Sequence, residues 1–511
     1  MKIYTSIAAL ALLALFAAVA APSALGQAVP AAPKPAAMVD TVSGAPPAGA
    51  RHPTTRKFAD AAVQLFDVGA ALPRPARLAQ PPEDYVAQVG YVEELALAAL
   101  DSPTWRRTSD GGRVWTIELM AAGSCGMRAR LNGRWDPRLE LRVYDPESGA
   151  AFGPYRHPRL DADGAWWTTL IIGGTIGLEF YLPPKDNDAD ADGPIPQVTA
   201  VAKHWGADQG NPCDNLPLGC GHSDILCSPA WLFSGRAVAR YQYIEGGGCF
   251  VCTGALINRS PSDLAPLFLT ADHCIDTQTT ANTLALIWFY QNDACDGSIP
   301  TNPNLFPRTD GALLLKTRDN SDTSLLGLFE PPVGDVWLGW DSGGWTLQSD
   351  ATGIHHPAGN AKRISFGDVT VALFVSYGQN DAHVWRCDWD TGSTEGGSSG
   401  SPVLDDAGRI RGQLKGGPGC GTGDYGRFGV SYDTHQPYID GMASPVYVEA
   451  GAGGSQLGTS GDPFNTVFEA TYCVFAGDEI RVRAGNYPEQ FTIWRPMILN
   501  SQNGLARIGA P

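Results

Sequence analysis

Two segments far apart in the chain contain residue types that can cooperate in nucleophilic catalysis. Residues 268–274 are an apolar run that ends in His273, with a cysteine beside it. Residues 394–404 place Ser399 in a glycine-flanked turn just before another apolar run. A serine hydroxyl is a weak nucleophile at neutral pH, so it needs a base such as histidine, which in turn needs a carboxylate to orient it. The two segments together predict serine-dependent acyl transfer.

Each segment taken alone leaves alternatives open. A turn rich in glycine and serine is usually only a turn, and a histidine beside a cysteine is more often structural. Ser398 and Ser401 are rival nucleophiles in the same turn. Several nearby carboxylates can orient the histidine, and spacing does not choose among them: Asp310, Asp319, Asp322, Asp335 and Asp341.

The composition favours a β-rich exported protein. The 511 residues carry a net charge of −17, which repels phosphate backbones, so we expect no nucleic-acid partner. The 60 glycines and 39 prolines suit short strands and many turns better than long helices. Nine of the 11 cysteines lie between Cys213 and Cys420, which indicates a disulfide framework formed in an oxidising compartment.

The first half of the chain divides by composition into four segments. Residues 1–26 begin with Lys2 and an apolar run, followed by small residues, as in a secretory signal peptide; the run is too short to span a membrane. Residues 27–85 are rich in Ala and Pro and are predicted to be flexible. Residues 86–182 contain short strand-like runs between turn signals, which suggests a β-sandwich. Residues 183–212 are acidic and Pro-bearing at first and are predicted to be a linker.

The cysteine-rich block, residues 213–440, resembles the chymotrypsin-fold serine endopeptidases, and most closely the bacterial lysyl endopeptidase family. The matching stretches are residues 252–258, 269–274, 290–295, 321–326, 339–341, 354–357, 362–365, 394–402 and 412–418. The resemblance implies a mainly β protein with a double β-barrel whose catalytic groups lie at the junction of the barrels. Residues 86–182 resemble the β-sandwich pro-regions of secreted bacterial proteases. Residues 446–511 resemble the opening coil of a parallel β-helix, so we expect a short β-solenoid-like tail.

The resemblance also implies a role for each site residue. Ser399 is the nucleophile, His273 the general base and Asp322 its orienting carboxylate. The backbone N–H groups of Gly397 and Ser399 form the oxyanion hole. From the residues alone Asp322 is the weakest of these assignments, and it is favoured because it leads directly into an apolar strand, as in the family motif.

For the cysteines, the family framework implies three disulfides: Cys220–Cys420, Cys227–Cys295 and Cys252–Cys274. It suggests no partner for the remaining cysteines: Cys125, Cys213, Cys249, Cys387 and Cys473. A metal site built from His355, His356 and cysteines is the competing interpretation. Export favours disulfides over thiolate ligands, so we expect neither a metal nor a cofactor, and we expect the two histidines to be buried hydrogen-bonding residues.

The resemblance fails at the substrate pocket. Where the family has an aspartate that binds the substrate lysine, this chain has Gly423, and Asp424 follows one residue later. A shift of one residue along a strand points a side chain to the opposite face. Lys415 and Tyr377 also replace a histidine and a tryptophan of the family pocket. Cleavage after Lys or Arg is therefore an open hypothesis.

These observations predict a secreted serine endopeptidase, made as a precursor, that acts on extracellular protein or peptide substrates. We expect no membrane span, and we make no prediction of the oligomeric state. Self-processing is predicted near Lys203, within the linker. The alternative is an exported binding or adhesion protein built on an inactive protease scaffold.

Overall fold

The computed structural model describes residues 37–43, 52–72, 86–95, 103–184, 194–205, 218–300, 302–489, 491, 493 and 495–509. The predicted signal peptide and Cys213 lie outside the described residues. The longest α-helix in these ranges has 12 residues, and none of the described helices is long and apolar enough to cross a membrane.

The N-terminal part of the chain forms short β-strands that are joined mostly by turns. They are β1 (Met38–Val39), β2 (Val42–Ser43), β3 (Thr54–Thr55), β4 (Val63–Asp67), β5 (Ala87–Glu94), β6 (Arg106–Arg107), β7 (Arg113–Met120), β8 (Gly126–Asn132), β9 (Glu140–Tyr144), β10 (Ala150–Tyr155), β11 (Ala165–Trp167), β12 (Ile171–Ile172), β13 (Thr175–Leu182) and β14 (Gln197–His204).

These strands form a β-sandwich. One sheet has the order β3-β10-β9-β13-β7-β4, with β6 paired to β7, and the other contains β11 and β12 on β8, followed by β14 and β5. The apolar side chains between the sheets, such as Leu119, Leu141 and Phe180, are fully buried. The sandwich is therefore stabilised by its own hydrophobic core, as the strand-like runs predicted.

The sandwich extends beyond the expected segment on both sides. β3 and β4 come from the Ala/Pro-rich segment that we expected to be flexible, and β14 comes from the expected linker. Lys203 lies in β14 with its side chain fully buried, and its Nζ donates to the carbonyl oxygens of Val68 (2.5 Å) and Gly69 (3.1 Å). The linker prediction was wrong here, because the apolar residues of β14 pack between the sheets. A protease cannot reach the bond after Lys203 in this strand.

The second part of the chain contains the strands of the cysteine-rich block and three of the α-helices. The elements are β15 (Ser223–Asp224), α1 (Leu232–Gly235), β16 (Val238–Glu245), β17 (Gly248–Leu256), β18 (Leu267–Ala271), α2 (Gln278–Asn282), β19 (Ala285–Ile287), β20 (Arg308–Asp310), β21 (Ala312–Arg318), β22 (Thr323–Leu328), β23 (Val336–Trp337), β24 (Trp340–Asp341), β25 (Asp350–His355), β26 (Arg363–Ser376), β27 (Asp381–Thr391), β28 (Pro402–Leu404), β29 (Ile410–Gly416), β30 (Thr422–Arg427) and α3 (Phe428–Ile439). Short 3-10 helices occur at Ile225–Cys227, Pro229–Trp231, Pro303–Leu305, Asp319–Ser321 and Pro357–Gly359.

These strands form two barrels, which confirms the double-barrel expectation. In the first, the strand order is β20-β19-β16-β17-β18-β22-β21, and β20 continues into β21 through Gly311, so one bent strand closes the ring. Gly311 has φ +70°, and a Cβ there would lie 2.6 Å from the Phe329 ring. The bend therefore requires glycine. The second barrel has the order β29-β28-β25-β26-β27-β30 and closes where β30 pairs with β29.

Strand β5 connects the sandwich to the first barrel. It pairs with β14 on one side and with β17 on the other, so both regions share one continuous sheet. β1 and β2, from the segment expected to be flexible, also pair with β24 and β23 of the protease region. The N-terminal region is therefore integrated into the protease rather than connected to it only by a linker.

The C-terminal tail forms β31 (Val446–Val448), α4 (Val467–Cys473), β32 (Glu479–Tyr487) and β33 (Ile498–Ile508). The three strands pair in parallel, as in successive turns of a β-solenoid. The tail also packs on the first barrel: the Tyr472 hydroxyl donates to the Leu328 carbonyl (2.7 Å), and Arg259 donates to the Tyr472 carbonyl (2.6 Å). The tail therefore shares one hydrophobic core with the first barrel.

Candidate active site

Two neighbouring strands of the first barrel bring His273 and Asp322 together. β18 and β22 are antiparallel, with Ala271 opposite Thr323, so the end of one strand lies beside the start of the other. His273 Nδ1 is 2.7 Å from Asp322 Oδ2, and the His273 backbone N–H donates to Oδ1 (3.0 Å). Asp322 has φ +51°, a left-handed conformation that aspartate adopts more readily than most residues. Two hydrogen bonds therefore orient the carboxylate toward the imidazole.

The Asp322 carboxylate is fully buried. Burial by itself raises the pKa of this carboxyl group, but the His273 imidazole, with smaller contributions from Lys415 and Asn380, lowers the pKa below its ordinary value. The carboxylate is consequently ionised at neutral pH and can stabilise a protonated imidazole.

The rival carboxylates have other partners or positions. Asp310 accepts a hydrogen bond from the Tyr155 hydroxyl (2.8 Å). Asp335 pairs with Arg236, and Asp341 pairs with Arg411. Asp319 begins the short helix that precedes Asp322. Among the described residues only Asp322 contacts His273 with its carboxylate.

Sequence reasoning missed two residues at this site. The Asn380 side-chain amide, in the turn between β26 and β27, donates to Asp272 Oδ2 (2.8 Å) and to Asp322 Oδ1 (2.9 Å). Burial, with the nearby charge of Asp322, raises the pKa of Asp272 to about 6. Asp272 stands next to His273 in the sequence and could have been suspected, but no local pattern marks Asn380.

The serine turn is held against the first barrel by glycine and by backbone hydrogen bonds. Gly400 has φ +79°, and a Cβ there would lie 2.1 Å from Thr270 Oγ1, so this close approach requires glycine. The Thr253 backbone N–H donates to the Ser399 carbonyl (2.8 Å), and the Thr253 hydroxyl donates to the Gly397 carbonyl (2.8 Å). The turn therefore has a defined position beside β17.

The three serines of this turn differ in their partners. Ser398 Oγ is 2.8 Å from His355 Nδ1, so Ser398 is a structural residue of the turn. Ser399 Oγ and Ser401 Oγ are buried without a hydrogen-bond partner in the described part of the chain, and the same is true of His273 Nε2. Acyl transfer requires an unused imidazole nitrogen and an unused hydroxyl; His273 supplies the first, and Ser399 and Ser401 are the two candidates for the second.

The backbone amides beside the serine are also available. Within the described ranges neither the Gly397 N–H nor the Ser399 N–H donates a hydrogen bond to another group. Gly397 has φ +95°, a conformation that favours glycine. Two unused N–H groups on one turn are the donors that an oxyanion hole needs.

His355 and His356 are buried and neutral. Burial lowers the pKa of both imidazoles well below the ordinary value. His355 contacts the hydroxyls of Ser398 and Ser365 (2.8 and 3.2 Å), and His356 Nδ1 is 2.9 Å from the Asn360 carbonyl. Their role is the structural one expected from the sequence, since they hold the serine turn and the neighbouring loop.

The pocket residues form a closed hydrogen-bonded group. The fully buried Asp424 accepts hydrogen bonds from Arg386 on each oxygen (2.7 Å each) and from the Tyr377 hydroxyl (2.7 Å). Lys415 Nζ lies 5.1 Å from the centre of the Tyr377 ring. Sequence reasoning missed Arg386, which neutralises Asp424.

Gly423 faces the other side of β30. A Cβ at this position would meet Tyr425 at 2.7 Å and the Trp389 indole at 3.2 Å, whereas Asp424 contacts Arg386 across the sheet. The expected alternation is therefore present: Gly423 and Asp424 face opposite sides of β30, and Asp424 lies on the side of Tyr377 and Arg386.

Three disulfides join the pairs that the resemblance implied: Cys220 to Cys420, Cys227 to Cys295 and Cys252 to Cys274. Cys125, which had no assigned partner, is also disulfide-bonded. The remaining described cysteines are buried thiols: Cys249, Cys387 and Cys473. Among the described residues one cluster has metal-ligand spacing, but two of its three members are the disulfide-bonded Cys227 and Cys295.

The double barrel, with a buried histidine–carboxylate pair beside a glycine-bounded serine turn, defines a protease of the chymotrypsin fold. A family model described as "Lysyl endopeptidase, C-terminal domain" matches residues 219–428, and one described as "Lysyl endopeptidase N-terminal domain" matches residues 70–201. A lysyl endopeptidase of Pseudomonas aeruginosa is 32% identical over 360 residues, which are 66% of this chain and 76% of the relative. The chain belongs to the lysyl endopeptidase family.

Other similarities are weaker. The secreted RxLR effector protein 73 of Plasmopara viticola is 29% identical over 178 residues, which are 33% of this chain and 42% of that protein. Among solved structures, the HtrA-type protease AlgW has 18% identity and a TM-score of 0.30, covering 41% of this chain and 62% of that one. The Rv3671c protease of M. tuberculosis has 16% identity and a TM-score of 0.31, covering 47% of this chain and 96% of that one.

Proposed function

We propose that this protein is a secreted serine endopeptidase that hydrolyses extracellular proteins or peptides through Ser399, His273 and Asp322. The observation that carries the proposal is the 2.7 Å contact between His273 Nδ1 and Asp322, which leaves the Nε2 atom of the same ring unused. A ring oriented in this way can accept the Ser399 proton.

The reaction follows from these groups. Ser399 Oγ attacks the scissile carbonyl carbon while its proton passes to His273 Nε2, and Asp322 stabilises the resulting imidazolium. The Gly397 and Ser399 amides bind the oxyanion. The C–N bond breaks as His273 returns the proton to the leaving amine. A water molecule, deprotonated by His273, then hydrolyses the acyl-enzyme and regenerates Ser399.

Secretion and a precursor form are part of the proposal. The signal-like start of the sequence, the three disulfides and the further disulfide-bonded Cys125 support export into an oxidising compartment. The burial of Ser399 Oγ and His273 Nε2 in the full chain supports a precursor, since a substrate must reach both atoms.

For specificity, we propose that the pocket does not select Lys or Arg at the residue before the scissile bond. Arg386 occupies both oxygens of Asp424, and the Lys415 ammonium adds positive charge near Tyr377. A substrate cation would meet this charge without an unneutralised carboxylate to balance it. Peptides that differ only at this residue should be cleaved after uncharged residues faster than after Lys or Arg; a clear preference for Lys would contradict the proposal.

Labelling with a fluorophosphonate tests the catalytic assignment. The processed protein should be labelled at Ser399, Ser399→Ala should abolish labelling, and Ser401→Ala should retain it. If the processed wild-type protein is not labelled, the alternative holds: an exported binding or adhesion protein on an inactive scaffold.

A further inference from the structure

Strand β17 of the first barrel has one edge that the protease strands only partly cover. β16 pairs along the whole of the other edge. On the edge opposite β16, β18 pairs only with Ala255 and Leu256, whereas β5 of the sandwich pairs with the stretch from Gly248 to Val251. The sandwich thus covers backbone N–H and C=O groups that would form an open edge in the protease alone.

The register of β5 directs it toward the serine turn. Ala87 lies opposite Val251, and continuing this antiparallel register places Val86 opposite Cys252. Cys252 is bonded to Cys274, which follows His273 in the chain. The next residue of β17, Thr253, donates its N–H to the Ser399 carbonyl (2.8 Å). Val86, only 9% exposed, belongs to the same apolar cluster as Cys252 and Cys274.

The chemistry of the proposed reaction defines what should lie on this edge. His273 Nε2 gives its proton to the leaving amine, so the polypeptide that follows the scissile bond must start beside His273. The Cys252–Cys274 disulfide joins that position to β17. An extended substrate therefore continues along the edge of β17 as an added antiparallel strand, where main-chain hydrogen bonds can bind it without regard to sequence.

We propose that β5 is an intramolecular inhibitor, which occupies by strand addition the edge of β17 that binds the leaving-group side of a protein substrate. This inference rests on the proposed function. Removal of the sandwich opens this edge of β17, and Ser399 Oγ and His273 Nε2 are both buried in the full chain.

The sandwich holds β5 ready for this role. β14 pairs with β5 along its other edge, and the buried Lys203 binds Glu93 of β5 (2.9 Å). At Gly90 a Cβ would lie 2.4 Å from the Lys203 carbonyl, so the two strands pack too closely for a side chain. A strand that is already ordered loses little conformational entropy on binding, so it competes well against a flexible substrate.

Fluorophosphonate labelling of intact and processed chains on one gel tests the inference. Processed wild-type protein should be labelled. The intact chain should be labelled at least about tenfold more slowly, which corresponds to a labelling barrier higher by about 1.4 kcal/mol. Val86→Asp should raise the labelling rate of the intact chain, because a carboxylate cannot remain in the apolar cluster. Val63→Asp is the matched control, since Val63 is exposed on β4, which pairs only with β7.

A peptide with the sequence of residues 86–95 provides a measurement that does not depend on folding of the variant. Added to processed protein, it should competitively inhibit cleavage of peptides that continue beyond the scissile bond. It should inhibit cleavage of a peptidyl nitroanilide roughly tenfold less, because that leaving group does not reach the edge of β17. The same peptide with Gln88→Pro should bind more weakly, since proline lacks a backbone donor.

The outcomes separate the two proposals. If the processed protein is not labelled at all, the proposed function fails and the inference with it. If processed and intact chains are labelled equally fast, or if Val86→Asp and the peptide are both without effect, the protein is a protease but β5 is not its inhibitor.

Discussion

Two buried carboxylates of this protein, Asp322 and Asp424, have cationic or potentially cationic partners at the same 2.7 Å distance, but their surroundings differ. Asp322 binds one nitrogen of an imidazole and leaves the other nitrogen unused. Asp424 binds a guanidinium through both oxygens and also accepts a phenolic O–H. Imidazole is the side-chain group that general base catalysis uses most often, whereas a guanidinium remains charged.

This difference separates the arrangement that we propose to be catalytic from a structural one. A carboxylate on an imidazole can stabilise a charge that appears only during reaction, so it lowers a barrier. A carboxylate on arginine is already neutralised before any substrate arrives. The hydrogen bonds that Arg386 donates to Asp424 raise the pKa of Arg386 above its ordinary value, so the guanidinium stays charged at physiological pH.

The largest expected effect comes from Asp322→Asn. The amide cannot stabilise the imidazolium and favours the wrong tautomer of His273, so kcat should fall by about 10⁴-fold while the protein stays folded. Asp424→Asn should retain most of the activity toward a substrate with an uncharged residue before the scissile bond. Steady-state kinetics of both variants on one peptide measures the contrast, and equal losses of activity would contradict it.

Asp424→Asn should have little effect on kcat but a clear effect on the free energy of unfolding. Asp424→Asn leaves the partly buried Arg386 without its carboxylate, so the free energy of unfolding should fall by about 2 kcal/mol. Asp406→Asn, at an exposed position nearby in the chain, should change it by less than about 0.5 kcal/mol. Urea denaturation of the inactive Ser399→Ala background measures both values without self-digestion, and an unchanged Asp424→Asn midpoint would show that the pair contributes no net stability.

The pH dependence of stability should reveal Asp272. Because burial and Asp322 raise the pKa of Asp272 to about 6, the folded state binds this proton more tightly than the unfolded state does. Its contribution is therefore fully present below about pH 4 and is lost as the pH rises through about 6. Asp272→Asn should remove this loss, so the variant should gain about 2 kcal/mol relative to wild type between pH 4 and pH 8. Denaturation at the two pH values, again in the Ser399→Ala background, measures the gain; a difference that does not vary with pH would contradict the assignment.

The smallest effect should come from Asn380→Ala. Its amide donates to both Asp272 and Asp322, so its loss should let the Asp322 carboxylate move and should lower kcat roughly tenfold with little change in KM. Asn380→Asp should lower kcat further, because a third carboxylate repels the other two. If Asn380→Ala changes only stability, Asn380 is not a positioning residue.

The sequence allowed the catalytic candidates to be found because their signals are local. His273 closely follows the apolar strand β18, Ser399 lies in a glycine-bounded turn, and Asp322 directly precedes the apolar strand β22. Strand alternation also predicted that Asp424 points away from the side of Gly423, and the structure places it there. The alternation of Gly423 and Asp424 follows from backbone periodicity alone, whereas Asp322 was chosen over the other carboxylates because it matches the family motif.

The residues that were missed act across long sequence distances. Arg386 meets Asp424 because β27 and β30 are neighbours in the second barrel, and Asn380 reaches Asp322 from the turn between β26 and β27. Strand β14 was predicted to be part of a linker because an acidic, Pro-bearing stretch precedes it. No local pattern reveals these contacts, since which strands become neighbours is decided by the packing of the whole chain.

The sequence by itself determined which side chains are chemically capable and, within the strands that it predicted, which face a residue occupies, because covalent geometry and periodicity act over a few residues. Only the tertiary structure decided which carboxylate meets the imidazole, which one is neutralised by arginine, and that β5 lies along β17. Those outcomes depend on burial and on distances between residues tens to hundreds of positions apart, which exist only after the sheets close and pack.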